Sequence, residues 1–320
     1  MTSTLSPTLA VGRFAPSPTG PLHLGSLVTA VGSYLFARSR GGRWLLRIED
    51  IDTQRVVKGC DGDILRTLEA LGLCWDGEIV YQSKRTERYE AALFSLLEKG
   101  LAYPCGCTRS EIASAPSAPH PGEEGPPYPG FCRRGIRESK IPRSTRVCTG
   151  DGEISFTDLL RGKIAYDLSR VSGDFVLKRG DGIFAYQLAV VVDDHDAGVT
   201  QVVRGADLLS STPRQILLQK YLGFPVPSYA HLPLVLGPEG QKLSKRESAV
   251  SLLDGVNPRK KGSGLIASAL AFLGHPPPPG LDSAPPEEML AFAVENFDPA
   301  RIPLADSPLN LKNILTACAP

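Results

Sequence analysis

Nowhere does the sequence run apolar for the ~18 positions that a membrane-crossing helix needs, so no such helix is expected. The opening MTSTLSPTLA lacks the basic start and the apolar stretch of a secretory leader, and residues 1–10 read as a loose tail. Excess charge of one sign is missing too. Lysine plus arginine number 35 and aspartate plus glutamate 34, a net charge of +1. That balance excludes a histone-like polycation and confines any nucleic-acid surface to a local patch. Cysteine is sparse and odd in number, seven in 320 residues. This argues against a secreted disulfide framework and for a reducing, cytoplasmic location. No internal repeat is visible.

Apolar residues make up 42% and charged residues 22%, a composition that supports a sizeable core and excludes wholesale disorder. Residues 11–14 read as a short strand that runs into the turn-rich Ala15-Pro16-Ser17-Pro18-Thr19-Gly20-Pro21. Leu24, Leu27, Val28, Val31, Tyr34 and Leu35 then recur at helical spacing until Gly41-Gly42, and 44–48 reads as a buried strand. Strand, turn, helix and strand in this order make a βαβ crossover of a parallel sheet. Further helices are expected over 64–71 and 89–97. Residues 116–129 hold six prolines and read as an irregular excursion. Regular signals resume at 174–177 and 188–192. Residues 199–203 and 232–236 read as strands, and 216–222, 265–273 and 289–294 as helices. Pro276-Pro277-Pro278-Pro279 is a stiff connector.

Three groups of residues carry chemistry. The first, Pro16 to Ser26, lies between a strand and a helix N-terminus, where free backbone N–H groups and the positive end of the helix dipole favour a polyphosphate. His23 can donate to a phosphate oxygen, and Gly25 lets a ligand approach the backbone. Alone, the segment is equally well a proline-rich turn. The second group is Gln241-Lys242-Leu243-Ser244-Lys245-Arg246, after the turn Gly237-Pro238-Glu239-Gly240. A glycine-rich loop can fold its two lysines over a transferring phosphoryl group. Alone, it is a solvated basic loop. The third is Cys105-Gly106-Cys107 with Cys132, a set that suggests zinc clipping a loop too irregular to hold itself by packing. His120, between the cysteines, is the ordinary fourth ligand. Cys60, Cys74, Cys148 and Cys318 stand outside this grouping and are expected to be unliganded.

The strand–turn–helix with His-x-Gly, followed late in the chain by Lys-x-Ser-Lys, resembles the class I aminoacyl-tRNA synthetases, where these are the HIGH and KMSKS signatures. Arg13-Phe14-Ala15-Pro16-Ser17-Pro18-Thr19-Gly20, Arg47-Ile48-Glu49-Asp50, Val203-Arg204-Gly205-Ala206-Asp207-Leu208 and Lys242-Leu243-Ser244-Lys245 look like the glutamyl branch. Ser26 replaces the second histidine of the parent signature and Arg246 its last serine. The resemblance covers about residues 11–250 and implies an α/β fold. Its core is a Rossmann-like parallel sheet with a zinc-containing insertion and a small helical C-terminal region. It also implies a glutamate pocket lined by Arg13, Phe14, Ala15, Pro16, Ser17, Glu49, Tyr186 and Arg204. Arginine forks suit carboxylates, and Glu49 at a strand end suits the ammonium. ATP is expected at His23, Gly25, Ser26 and Lys245, with Mg²⁺. His23, Lys242 and Lys245 are the expected catalytic groups. The related short glutamyl proteins use a tyrosine as fourth zinc ligand, which here is Tyr128, with Cys105, Cys107 and Cys132.

Residues 133–146 contain Arg133, Arg134, Arg137, Lys140, Arg143 and Arg146, opposed only by Glu138, a patch that can track an RNA backbone or form a solvated face. Arg259-Lys260-Lys261 is a weaker one. The short stretch after the lysine loop is too small for an anticodon-reading region. Together with the cysteine cluster, it resembles the short glutamyl paralogues. That resemblance implies tRNA-independent activation of L-glutamate with ATP and transfer to the queuosine base in the anticodon loop of tRNA(Asp). The rivals are a short synthetase charging the 3′ end of tRNA(Glu), a non-catalytic synthetase-derived RNA-binding module and an unrelated ATP-dependent ligase. No obligate protein partner and no membrane is implied. The expected division is a tail (1–10), two halves of a catalytic domain (11–100 and 171–253), an inserted zinc subdomain (101–170) and a helical C-terminal region (254–320).

Overall fold

Strand β1 (Val11–Phe14), helix α1 (Leu24–Arg38) and strand β2 (Arg43–Ile48) form the expected βαβ unit, with β1 and β2 parallel and Arg13 beside Leu45. The computed structural model describes residues 9–113, 127–237 and 258–308. Helix α2 (Cys60–Ala70) returns the chain to β3 (Val80–Tyr81), which extends the sheet in the order β1-β2-β3, and α3 (Thr86–Glu98) follows. Alternating βα units of this kind bury both faces of a sheet, which is why β2 reads as a near-continuous apolar run. Trp44 is fully buried there, stacked on Phe14, with its indole N–H donating to Ser33 Oγ at 3.0 Å.

The chain then forms a smaller antiparallel sheet in the order β4-β5-β8, from β4 (Ala102–Cys105), β5 (Ser144–Val147) and β8 (Val176–Arg179). The short helix α4 (Arg109–Ala113) lies after β4. Between β5 and β8 lies the hairpin β6 (Glu153–Asp158) and β7 (Gly162–Asp167), followed by one turn of helix, α5 (Leu168–Val171). Helix α6 (Tyr186–Asp196), β9 (Gln201–Gly205), α7 (Thr212–Leu222) and β10 (Ser228–Leu232) complete the second half. Its sheet has the order β7-β6-β10-β9, with β9, β10 and β6 parallel. The two halves meet where the Thr200 N–H donates to the Val11 carbonyl at 3.0 Å, placing β9 beside β1. Ligands of open parallel sheets bind at such a boundary, outside the carboxyl ends of the strands.

The expected strand over 232–236 is two elements. β10 ends at Leu232, Pro233 supplies no N–H to continue the ladder, and a short β11 (Val235–Leu236) pairs instead with β12 (Ser307–Pro308). The apolar run 188–192 is the interior of α6, and β5, β6 and β7 lie outside every expected strand, although Ile154 and Phe156 of β6 alternate with polar residues. Helices α8 (Pro258–Phe272) and α9 (Pro286–Glu295) pack on the α1 side, where Leu265, Ile266, Leu270 and Met289 join the core of α1 and β2. A second core, built from α3, α6 and α7, lies on the other half. Among the described residues no helix is long and apolar enough to cross a membrane.

Candidate functional site

The turn after β1 is fixed from both sides. The Glu49 N–H donates to the Pro16 carbonyl at 2.9 Å, and the Val57 N–H to the Pro18 carbonyl at 2.9 Å. His23 caps α1, with Nδ1 accepting from the Ser26 N–H at 3.2 Å. A neutral imidazole that accepts at Nδ1 carries its proton on Nε2, which makes the outer edge of the ring a donor. A Cβ at position 25 would lie 3.1 Å from the imidazole, so glycine there lets the ring fold over the helix start. The first turn of α1 holds no acidic residue, which leaves its dipole available to an anion.

This turn forms one wall of a cleft of about 670 Å³. Arg13, Phe14, Ala15, Pro16, Ser17, His23, Gly25, Ser26, Glu49, Tyr186 and Arg204 all line it. The structure thus gathers every described residue expected to bind glutamate or ATP around one cavity. Lys242, Lys245 and Arg246 lie outside the described residues, as does His120.

Charge in the cleft is supported from beneath by carboxylates on α6. Arg13 Nε donates to Asp194 at 3.2 Å, and Arg47 Nη1 donates to the same carboxylate at 2.5 Å. Burial alone would push Asp194 up, but Arg13 and Arg47 hold its carboxyl below the usual range. The neighbouring Asp193 accepts from Arg85 Nε at 2.6 Å, Gln82 Nε2 at 2.8 Å and Tyr89 Oη at 2.9 Å. Arg47 Nη2 also reaches Glu49 Oε1 at 3.1 Å. Burial pushes the Glu49 carboxyl above its ordinary value, against the pull of Arg47 and Arg13.

Arg204 is held differently. It is 3% exposed and donates to His231 Nε2 at 3.2 Å, Tyr186 Oη at 3.3 Å and Thr212 Oγ1 at 2.9 Å. Among the described residues no carboxylate pairs with it. Burial pushes the Tyr186 hydroxyl up, so it meets the guanidinium as a neutral phenol. A buried cation with only neutral partners is costly by itself and favours an anionic ligand.

Sequence reading gave Arg47, Asp193, Asp194, Arg85, Thr212 and His231 no role. One signal is present: Asp193 and Asp194 directly follow the apolar run 188–192 of α6, where charged residues are seldom buried without partners. Pairing of Arg47 with Asp194 across the sheet carries no local signal.

A second cluster lies outside the cleft. The sulfurs of Cys105, Cys107 and Cys132 all fall within 4.8 Å of one another, and Cys107 and Cys132 are 3.7 Å apart. Tetrahedral ligation with metal–sulfur bonds of about 2.3 Å requires ~3.8 Å between sulfurs, so the spacing fits zinc. Tyr128 Oη lies 3.3 Å from Cys105 Sγ and 3.4 Å from Cys107 Sγ, and accepts from the Cys132 N–H at 3.0 Å. Burial raises the Cys107 thiol, whereas the hydrogen bond with Tyr128 helps to hold the Cys105 thiol below its ordinary value against burial. Gly173, in the left-handed region at φ +57°, brings its backbone so close to Tyr128 that a Cβ would lie 2.2 Å from the Tyr128 carbonyl oxygen. Cys60, Cys74 and Cys148 form no disulfide among the described residues and stand outside the group, and Cys318 lies outside the described residues.

Beside this cluster, Arg133 pairs with Asp174 at 2.7 Å and Lys140 pairs with Glu111. Arg146 stacks 4.1 Å from the Tyr128 ring centroid. Arg134, Arg137 and Arg143 are exposed and have no ion pair among the described residues.

Residues 10–278 match the family model of the catalytic domain of class I tRNA synthetases (E and Q). The chain is 58% identical over 300 residues to a glutamyl-Q tRNA(Asp) synthetase of Geobacter sulfurreducens, covering 94% of this chain and 96% of that one. It is 51% identical to a protein of the same name from Thiobacillus denitrificans, over 93% and 97% of the two chains. Among solved structures it resembles a glutamate tRNA ligase of Elizabethkingia meningosepticum in complex with its amino acid. The TM-score is 0.80 at 29% identity, over 97% of this chain and 68% of that one.

Proposed function

This chain belongs to the catalytic-domain family of the class I glutamyl and glutaminyl tRNA synthetases, and from that premise we propose that it activates L-glutamate with ATP and transfers it to the queuosine base of tRNA(Asp). The observation that carries the amino-acid half is Arg204, a buried cation whose partners among the described residues are all neutral and which opens into the same cleft as Arg13 and Glu49. Glutamate supplies what that arrangement lacks. Arg13 and Arg204 take its carboxylates, and the ionised Glu49 takes its ammonium.

ATP lies with its phosphates at the α1 N-terminus, where His23 donates from Nε2 and Gly25 and Ser26 offer the backbone. Bound Mg²⁺ would supply counter-charge to those phosphates. An oxygen of the glutamate α-carboxylate attacks the α-phosphorus in line, the bond to the bridging oxygen breaks, and pyrophosphate leaves. Lys242 and Lys245 offset the charge on the transferring phosphoryl group. The mixed anhydride is already activated, so a hydroxyl of the queuosine cyclopentenediol attacks its carbonyl carbon without a protein nucleophile, the acyl–phosphate bond breaks, and AMP leaves with the hydroxyl proton passing to its phosphate or to solvent.

Cys105, Cys107 and Cys132 as thiolates, with Tyr128, would hold a structural zinc ion, which ties the loop to β4. The exposed Arg134, Arg137 and Arg143 beside it serve the tRNA backbone. Residues 11–100 and 171–253 are the halves of the catalytic domain, 101–170 the inserted subdomain, 1–10 a tail and 254–320 the helical C-terminal region. The protein works in the cytoplasm, where its nucleotide and tRNA substrates are.

Labelled glutamate offered with ATP and tRNA tests the reading. Transfer to queuosine-containing tRNA(Asp) that survives removal of the 3′ adenosine and fails on queuosine-free tRNA is the expected result. Charging of the 3′ end of tRNA(Glu) would select the short-synthetase reading, which the likeness to the glutamate tRNA ligase makes the natural competitor. Glutamate-dependent pyrophosphate exchange without tRNA is expected as well.

A further inference from the structure

The steps above use neither His231 nor Asp158. Both are buried, at 0% and 2% exposure, and neither lines the cleft. The register of the sheet places His231 on β10 directly beside Arg204 on β9, so the two side chains leave the sheet on the same face. β6 ends at Asp158, which lies behind the imidazole.

The hydrogen bonds allow only one arrangement of protons. Asp158 Oδ2 lies 2.6 Å from His231 Nδ1, and its Oδ1 accepts from the N–H groups of Leu160 and Arg161, each at 3.0 Å. The carboxylate can only accept, so the imidazole carries its proton on Nδ1. Nε2 is therefore a lone pair, and it receives the Arg204 Nε–H at 3.2 Å. Thr212 Oγ1 accepts from Arg204 Nη2 at 2.9 Å and donates to the same Nε2 at 3.1 Å. Burial and the nearby Arg204 lower the His231 pKa despite Asp158, which agrees with a neutral ring.

A guanidinium has five N–H donors. Three of those on Arg204 are used, by His231, Tyr186 and Thr212. One N–H on each terminal nitrogen remains for a ligand. A carboxylate placed directly against Arg204 would occupy that fork and compete with the substrate. The imidazole instead keeps the negative charge of Asp158 one ring away. It supports the buried cation without taking its terminal donors.

We propose that Asp158 and His231 are positioning residues: Asp158 locks the tautomer of His231, and His231 aims Arg204 at a carboxylate of the amino-acid substrate. This rests on the glutamate reading above and assigns to that site the residues that set its strength for an acidic amino acid.

Pyrophosphate exchange with glutamate and ATP, without tRNA, tests it on the full-length protein. His231→Asn keeps a donor for Asp158 but ends short of Arg204. It is expected to raise the KM for glutamate about tenfold, the size of one lost hydrogen bond to a charged group. The KM for ATP stays unchanged. His231→Gln, whose longer amide can again accept from Arg204, is expected to recover most of the loss, which a merely structural role does not predict. Thr212→Val, nearly isosteric, provides a second reading of the same contact should His231→Asn fold poorly, with the same separation of the two KM values. A wild-type glutamate KM in both His231→Asn and Thr212→Val overturns the proposal, as does a parallel rise in both KM values or no recovery in His231→Gln. Absence of glutamate-dependent exchange in the wild type is a different outcome: it removes the glutamate reading itself, and this inference with it.

Discussion

Arg13 lies in the cleft with its Nε held 3.2 Å from Asp194, so a pocket arginine is anchored from behind by a carboxylate of helix α6. Its two terminal nitrogens make no hydrogen bond among the described residues and are left for a ligand. Arg47 shares the same carboxylate, so Asp194 is an anion common to two buried guanidinia. Asp194→Asn preserves shape and removes that charge. Arg47 keeps Glu49, but Arg13 loses its carboxylate, and leaving a buried cation uncompensated costs about 3–5 kcal/mol. Urea unfolding should register a loss of that order, and the glutamate KM in pyrophosphate exchange should rise while His23-side binding of ATP persists. An unchanged glutamate KM in a folded Asp194→Asn protein would show that Arg13 does not depend on this anchor.

Glu49 gives the site a pH dependence of definite sign. Burial raises its carboxyl above the ordinary 4.5. The ammonium of glutamate needs the ionised form, so binding is present above the raised pKa and lost as pH falls through it. Below that point kcat/KM for glutamate should fall about tenfold per pH unit, the slope of one required proton loss. The bound ammonium stabilises the carboxylate, so the corresponding limb in kcat lies at lower pH. Glu49→Gln should abolish the limb and raise the KM for glutamate. A limb that persists in Glu49→Gln would assign it to another group.

The legible part of the molecule is the part whose signals are local. The βαβ unit of β1, α1 and β2 announces itself through apolar periodicity and two glycines, and the turn between them carries the residues that line the cleft. The anchors behind those residues are not legible in the same way. Arg47 and Asp194 are 147 positions apart, and only the sheet order brings them together. His231 lies just outside the strand read over 232–236, and only the β9–β10 register sets it against Arg204. The boundary at Pro233 was visible as a proline, yet the apolar residues on both sides of it read as one strand. Strands β5, β6 and β7 are rich in polar residues; β6 alternates Ile154 and Phe156 with polar neighbours, but over too few positions to fix a strand without its tertiary pairing.

Zinc content separates the cysteine cluster from a set of free thiols. The purified protein should hold one zinc per chain by elemental analysis, and Cys132→Ser should lose it. Tyr128→Phe should weaken retention, whereas His120→Ala should leave it unchanged; the reverse pair of results would make His120 the fourth ligand. Acidification should release the metal, because thiolate and phenolate ligands must be deprotonated to bind. None of the four residues lines the cleft, so removing zinc should impair transfer to tRNA more than pyrophosphate exchange.

The basic patch can be judged by salt. Of the six cations in 133–146, Arg133 and Lys140 already have carboxylate partners and Arg146 covers Tyr128. Arg134, Arg137 and Arg143 are the ones left to meet phosphates. Each phosphate contact releases condensed counterions, contributing about 0.7–0.9 to the slope of log affinity against log salt. Replacing all three by alanine should therefore flatten the salt dependence of tRNA binding by roughly 2–3 and weaken binding at low salt. Exchange without tRNA should stay within about twofold, since uniform loss of RNA contacts leaves the chemistry untouched. Arg66→Ala is the control: it removes an exposed arginine that pairs with Asp63 on helix α2, in the first half of the fold. If the triple variant and the control gave the same salt slope as the wild type, the patch would be a solvated face and the tRNA would have to dock elsewhere.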